Sequence, residues 1–346
     1  MKKKWRGMFC FLLIGMAALS FFILTKRIPV ELHESPKNTD TIHSQHGIVE
    51  NTTEENLGTI ETEPVYSGAN TALDMRWMNF LKPADSEQEV LLKKSAYVVN
   101  KLAVDEKGTL EVKQIIGDSS MIYILIDFTA VEGTVLDAKR YRFDSYLNLT
   151  STYSASFDYI LLDDENPSDN KISLMMSISM ATARAIAGSP VTLQLSDLEG
   201  ADVYPDEYET VVSGSWETKF ILDYKDISTS HQFQQGLSLY NYAATLSSIS
   251  ISPLSVTIKF ESSHIKEIYE EASRLSKEKG LNEHVDSYPI TIHYKDGRSE
   301  TTSVFNGLVR ADYTSDYTTI VKPFVPIIND KEIKSIEFFN TVIVWD

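Results

Sequence analysis

From Tyr97 to the end of the chain, apolar residues recur at alternate positions in short runs separated by polar turns, and that period fixes the fold class. Residues 97–104, 110–116 and 121–130 read as strands, with Gly108 and Gly117-Asp118-Ser119-Ser120 between them. Residues 141–149, 156–162, 171–179 and 191–195 continue the pattern. After a break at Ser213-Gly214-Ser215 come residues 216–224, 237–242 and 245–260. Asp296-Gly297, the pair that tight hairpin turns prefer, joins 290–294 to 299–305, and 333–345 closes the chain. Helical spacing is confined to 73–81, 86–96 and 263–279. Ser86 and Glu89 are spaced as a capping box, Ser263 is a candidate N-cap, and Gly280 is a C-terminal stop. Low glycine (15 of 346) with 17 Tyr and 15 Phe fits β-structure.

The N-terminus obeys a different rule. Lys2, Lys3, Lys4 and Arg6 precede an uncharged stretch, residues 8–25, and Lys26 and Arg27 end it. As a helix it would run roughly 27 Å, close to the ~30 Å hydrocarbon core, and the heavier basic flank predicts a cytoplasmic N-terminus. Ala18-Leu19-Ser20 is a passable signal-peptidase site. Phe21-Phe22-Ile23-Leu24 would follow the cut, which favours an uncleaved anchor. Cys10 reads as a membrane-facing residue. Residues 26–68, acidic and without apolar period, predict a disordered tether.

Charge and cysteine content exclude several functions. A net charge of −17 argues against nucleic-acid binding. Without the six basic residues of the N-terminal segment, 26 basic residues face 49 acidic ones. A single cysteine rules out a disulfide framework, so an exported chain of this kind fits a bacterial surface.

The chemistry-bearing motifs are weak. Ser263-x-x-Lys266, Ser276-x-x-Lys279, Ser168-Asp169-Asn170 and Lys295-Asp296-Gly297 imitate the motifs of penicillin-binding enzymes. Their order is reversed and two of them fall in turns. Asp163-Asp164-Glu165 with Asp169, and Asp202 with Asp206-Glu207, lack the spacing of a calcium loop and read as solvated turns. His43-x-x-His46 has no third ligand, and His231, His264, His284 and His293 are isolated. Tyr141, Phe143, Tyr146, Tyr153, Phe157 and Tyr159 either fill a core or line a carbohydrate or peptide groove; the core reading is favoured. No catalytic, cofactor-binding or metal residue is assigned, and no cofactor is expected.

Residues 108–118, 121–128, Glu132-Gly-Thr-Val-Leu136, Gly214-Ser-Trp216 and Ile249-Ser-Ile-Ser-Pro-Leu-Ser255 resemble a Gram-positive family of membrane-anchored ectodomains of unknown function. Some members carry an anti-sigma-factor-like cytoplasmic domain; here only residues 1–7 are expected as a cytoplasmic stub. The resemblance implies two consecutive β-rich modules over residues 95–346 and supplies no catalytic residues. The expected organisation is mainly β: an anchor (8–25), a tether (26–68) and two antiparallel immunoglobulin-like sandwiches, 69–212 and 213–346, with one inserted helix at 263–279. The expected role is non-catalytic binding or sensing at the outer face of the cell membrane. It has a possible envelope protein partner, an unknown small-molecule ligand and no nucleic acid. An envelope enzyme acting on wall polymer or peptide and a structural spacer are the alternatives.

Overall fold

Two short helices precede the first strand. Asp74 caps α1 (Met75–Leu81) by accepting from the Arg76 amide. Asp85 caps α2 (Ser86–Ser95) by accepting from the Gln88 amide. The cap therefore falls one residue before Ser86, which is already helical, and aspartate serves there as well as serine. The computed structural model describes residues 74–345 except 150–152, 163–165, 167–168, 183–185, 203–206, 281–283, 303–307 and 313–315. The expected anchor, tether and His43/His46 pair lie outside the described residues. Among the described residues no helix is long and apolar enough to cross a membrane.

The chain is mainly β. The first eight strands are β1 (Tyr97–Asp105), β2 (Gly108–Gly117), β3 (Met121–Ala130), β4 (Arg140–Asn148), β5 (Tyr153–Leu161), β6 (Lys171–Thr182), β7 (Pro190–Ala201) and β8 (Glu209–Ile221). They form two antiparallel sheets, in the orders β1-β2-β3-β6-β5 and β4-β7-β8. Leu110, Ile124 and Phe128 of the first sheet share a core with Phe143, Leu193 and Trp216 of the second, a sandwich-like arrangement. β1 also meets β8, and β4 meets β5, so the two sheets approach each other along both sides.

The expected boundary at 212/213 falls inside β8, which pairs with β7 from Glu209 to Ile221. Ser213-Gly214-Ser215 is therefore strand, not linker. A Cβ at Gly214 would lie 2.6 Å from the Trp216 ring, so glycine here lets the indole fold over its own strand. Gly108 and Gly117, read from sequence as turn residues, likewise end β2 in ladder register with Ala130 and Ile122.

The second half contains β9 (Thr229–Leu239), β10 (Tyr242–Ile251), β11 (Ser255–Glu261), α3 (Ile265–Lys279), β12 (Ile290–Tyr294) and β13 (Ser299–Thr302). β14 (Leu308–Asp312), β15 (Tyr317–Pro323), β16 (Ile333–Phe338) and β17 (Thr341–Val344) follow. The sheet orders are β14-β15-β11-β10-β9 and β13-β12-β16-β17. They enclose a second core, against which α3 packs Ile268 and Ala272. Gly280 ends α3 in the left-handed conformation, as its sequence position predicts. At the other end the Ser262 hydroxyl accepts from the His264 amide, so the N-terminal contact is not made by Ser263.

Three continuous strand readings are broken by reversals. The 245–260 run turns at Ser252-Pro253-Leu254. The others turn at Tyr240-Asn241 (φ 52° and 74°) and Phe339-Asn340 (φ 47° and 61°). Two-residue hairpins with positive φ at both positions usually carry Asn-Gly. Here an aromatic residue takes the first place, and the cost is offset by ring packing. Tyr240 and Phe339 meet edge to face at 4.9 Å, and each reaches Tyr288 at 6.2 Å.

β3 explains how the halves join. Its Ile122, Ile124 and Ile126 enter the first core, while Met121, Tyr123 and Leu125 point the other way. That second face is covered by Trp77, Leu81 and Leu92 of the helices and by Leu254 and Ile327 from the second half. Polar contacts hold the helices in place. Trp77 Nε1 donates to Gln114 Oε1 (2.7 Å) and Arg76 Nη1 to Asp127 Oδ1 (2.6 Å). The Ile327 amide donates to the Leu81 carbonyl (3.0 Å).

Trp77 is wholly buried in this layer. Trp77→Ala is expected to lower the unfolding free energy by about 3–5 kcal/mol, measured by chemical denaturation. A loss below about 1 kcal/mol would show that the helices contribute little to the stability of the β-body.

Candidate functional site

The enzyme-like motifs do not assemble. Asn170 donates to the Ala130 carbonyl (2.6 Å) in the first half; Ser168 lies outside the described residues. Lys266 is exposed and 3.9 Å from Glu270, one turn along α3. Lys295 donates from the β12–β13 turn to the Lys331 carbonyl (2.6 Å), and Asp296 binds Arg298 (2.6 Å). Lys266 and Asp296 pair within their own helix and turn, while Asn170 and Lys295 tie their turns to backbone elsewhere in the same half.

The acidic turns behave similarly. Asp169 accepts from the Lys171 amide (2.7 Å) and Asp202 from the Lys139 amide (3.4 Å), while 163–165 and Asp206 lie outside the described residues. Among the described residues, no group of three or more His, Cys, Asp or Glu is placed to hold a metal. His231 packs on the Trp345 ring (4.4 Å), His264 lies beside Tyr242 (5.4 Å), and His293 Nε2 is 3.1 Å from Glu337 Oε2. Of the aromatics, Tyr141 and Phe143 are buried and Phe157 and Tyr159 pack against the first core. Tyr146 alone of these five is exposed, at 51%.

A buried polar knot lies where the halves meet. Asp118, in the β2–β3 turn, accepts at Oδ1 from the Ser120 and Met121 amides (2.8 and 2.7 Å). At Oδ2 it accepts from the Ser252 and Ser255 hydroxyls, both at 2.6 Å, from the β10–β11 reversal. Burial pushes its pKa above the ordinary aspartate range, and the hydroxyls and amides pull it back. Tyr224 donates to the Asp118 carbonyl (2.9 Å), and its ring closes on Gly117, where a Cβ would come within 2.8 Å. The knot is fully enclosed and presents nothing to a ligand.

The outer face of the second sheet is open. β4, β7 and β8 turn alternate residues to the core and the others to solvent. The registers place Tyr146 beside Gln194 and Gln194 beside Glu217; the next row is Asn148, Thr192 and Lys219. Gln194 Nε2 donates to Glu217 Oε2 (2.7 Å), and Lys219 Nζ lies 3.3 Å from Glu217 Oε1. Gln194, with Lys219, holds the Glu217 carboxyl below its ordinary pKa, so it remains an ionised acceptor. A shallow cleft of about 450 Å³ opens at the end of this face, lined by Asn148, Leu149, Pro190, Thr192, Lys219 and Ile221, among others. The alternation that builds these rows was present in the sequence of β4 and β8; which strand lies beside which was not.

No family model and no curated protein matches the chain. Among solved structures it is similar to a conserved domain protein from Bacillus anthracis, with 10% identity and a TM-score of 0.44. The match covers 71% of this chain and 77% of that one. At that score the likeness bears on neither fold nor function.

One buried cation stands apart from these surfaces. Lys322 on β15 has a fully buried side chain, 3.9 Å from Asp286 Oδ1. Burial lowers its pKa from 10.5 to about 8, with Asp286 opposing the change. A folded pKa below the unfolded one means that charged Lys322 penalises folding in full below about pH 8. The penalty fades as pH rises toward 10.5. Unfolding free energy should therefore rise between pH 8 and 10, by up to about 1.4 kcal/mol per pH unit, relative to a Lys322→Met/Asp286→Asn double variant. Parallel pH profiles for the two proteins would refute this assignment.

Proposed function

We propose that this chain is a membrane-tethered, non-catalytic binding or sensing protein of the bacterial cell envelope, displayed on the outer side. The observation that carries this reading is the second sheet: a rigid, solvated face of paired polar groups around an exposed aromatic ring, with a cleft at its edge. Recognition surfaces of this kind work by presenting fixed side chains rather than by moving protons.

The tether belongs to the same proposal. Residues 8–25 carry no charge between basic flanks, and 26–68 are acidic and lack apolar period. An immunoglobulin-like character for the two halves is also part of it, supported by antiparallel sheets sharing one core in each half. So is kinship with the Gram-positive ectodomain family that the strand phrases resemble. A role as accessory to a membrane signalling system rests on that resemblance.

Topology provides the test. On protoplasts, protease added outside is expected to remove a C-terminal epitope tag, while the untreated protein stays with membranes through an alkaline wash. Exchanging residues 8–25 for a cleavable signal peptide should release the protein to the medium. A tag protected from external protease would overturn the proposal.

A further inference from the structure

We propose that the outer face of the second sheet binds an uncharged polysaccharide, with the Tyr146 ring as the stacking surface and Asn148, Thr192, Gln194, Glu217 and Lys219 as its hydrogen-bonding border. The inference deepens the binding role proposed above and rests on it.

Geometry comes first. Tyr146 and Asn148 are two apart on β4 and share a face, and their β7 partners Gln194 and Thr192 continue both rows to Glu217 and Lys219 on β8. Neighbouring strands lie about 4.8 Å apart and alternate residues about 6.7 Å apart, so the six side chains form one shallow platform. A sugar ring offers a C–H face to an aromatic ring and hydroxyls around its rim. The platform supplies the complement: one exposed ring beside amide, hydroxyl, carboxylate and ammonium groups.

Charge decides which polysaccharide. Glu217 lies 3.3 Å from Lys219, and Arg142, farther along the same face, is 2.6 Å from Glu199. Arg140 and Asp144 on the same side of β4 add one charge of each sign, so the charges of the face balance, in a chain whose net charge is −17. It has no surplus cation for an anionic polymer, and the whole molecule would repel one. The middle of the face, around Gln194 and Glu217, is polar where a protein–protein contact has its apolar centre, and exposed Val211 and Ile221 lie toward its two ends. The adjoining cleft, at about 450 Å³, falls within the range of about 300–1,000 Å³ usual for ligand sites.

The test uses the full-length protein in a detergent without a sugar headgroup. It is applied to immobilised cello-, chito-, manno- and galacto-oligosaccharides, with an anionic wall polymer as comparison. Binding to at least one neutral series is expected. Tyr146→Ala should weaken it tenfold or more and Tyr146→Phe should preserve it, because stacking needs the ring and not the hydroxyl. With Tyr146 on the surface, both variants should keep the wild-type unfolding midpoint. Binding to no neutral series, binding only to the anionic polymer, or binding that survives Tyr146→Ala would overturn the inference. A tag exposed on protoplasts together with a glycan-silent platform would overturn this inference alone. Glycan binding by a protein whose tag is protected would overturn only the tethered display.

Discussion

The fold turns on a carboxylate that water cannot reach. Removing a charge from solvent is expensive unless donors replace the lost hydration, and Asp118 has four: two amides of its own turn and two hydroxyls from more than 130 residues away. The Ser252 hydroxyl has a second task. It accepts from the Leu254 and Ser255 amides (2.9 and 3.1 Å) while donating to Asp118, so it shapes the β10–β11 reversal and fixes it to the other half. A carboxylate in this position tolerates little displacement of either partner. It sets the register in which the apolar layer around Tyr123 and Leu254 closes.

That layer explains why the two sheets of the first half differ so much in character. The centre of the first sheet, at β3 and β6, is covered on both faces, which is why β3 is apolar from Met121 to Ile126 without alternation. The second sheet is covered on one face only, and its strands alternate cleanly between core and solvent. A sheet with one wet face can present an ordered array of polar side chains on a rigid backing, and the candidate platform follows from this asymmetry.

Period-2 alternation makes most strands legible, and β3, a continuous apolar run, is delimited to its observed start by the polar turn Gly117-Asp118-Ser119-Ser120. Where local signals were ambiguous the sequence misled. Ser213-Gly214-Ser215 has the composition of a linker, yet Trp216 needs the bare glycine beneath its ring. Tyr240-Asn241 and Phe339-Asn340 contain no glycine, so Asn alone marks them as turns; the rings that stabilise them meet only in the folded chain. β14 and β15 are not legible because Arg310 and Asp312 interrupt the one, and Thr318, Thr319 and Lys322 the other. The platform was half visible: Tyr146 was one of six aromatics weighed for a core or a groove. Its partners Gln194 and Glu217 lie 48 and 71 positions along the chain, joined only by strand pairing.

The double-sided burial of β3 also sets a timetable for the growing chain. The first half can close its own core once β8 has been made, but the face bearing Met121, Tyr123 and Leu125 awaits Leu254 and Ile327. At about 5–20 residues per second, the stretch from the end of β8 to Ile327 takes on the order of five to twenty seconds to synthesise. Throughout that interval an apolar sheet face has only the two short N-terminal helices to shield it. Whatever accompanies this chain during synthesis has to protect that face until the second half arrives.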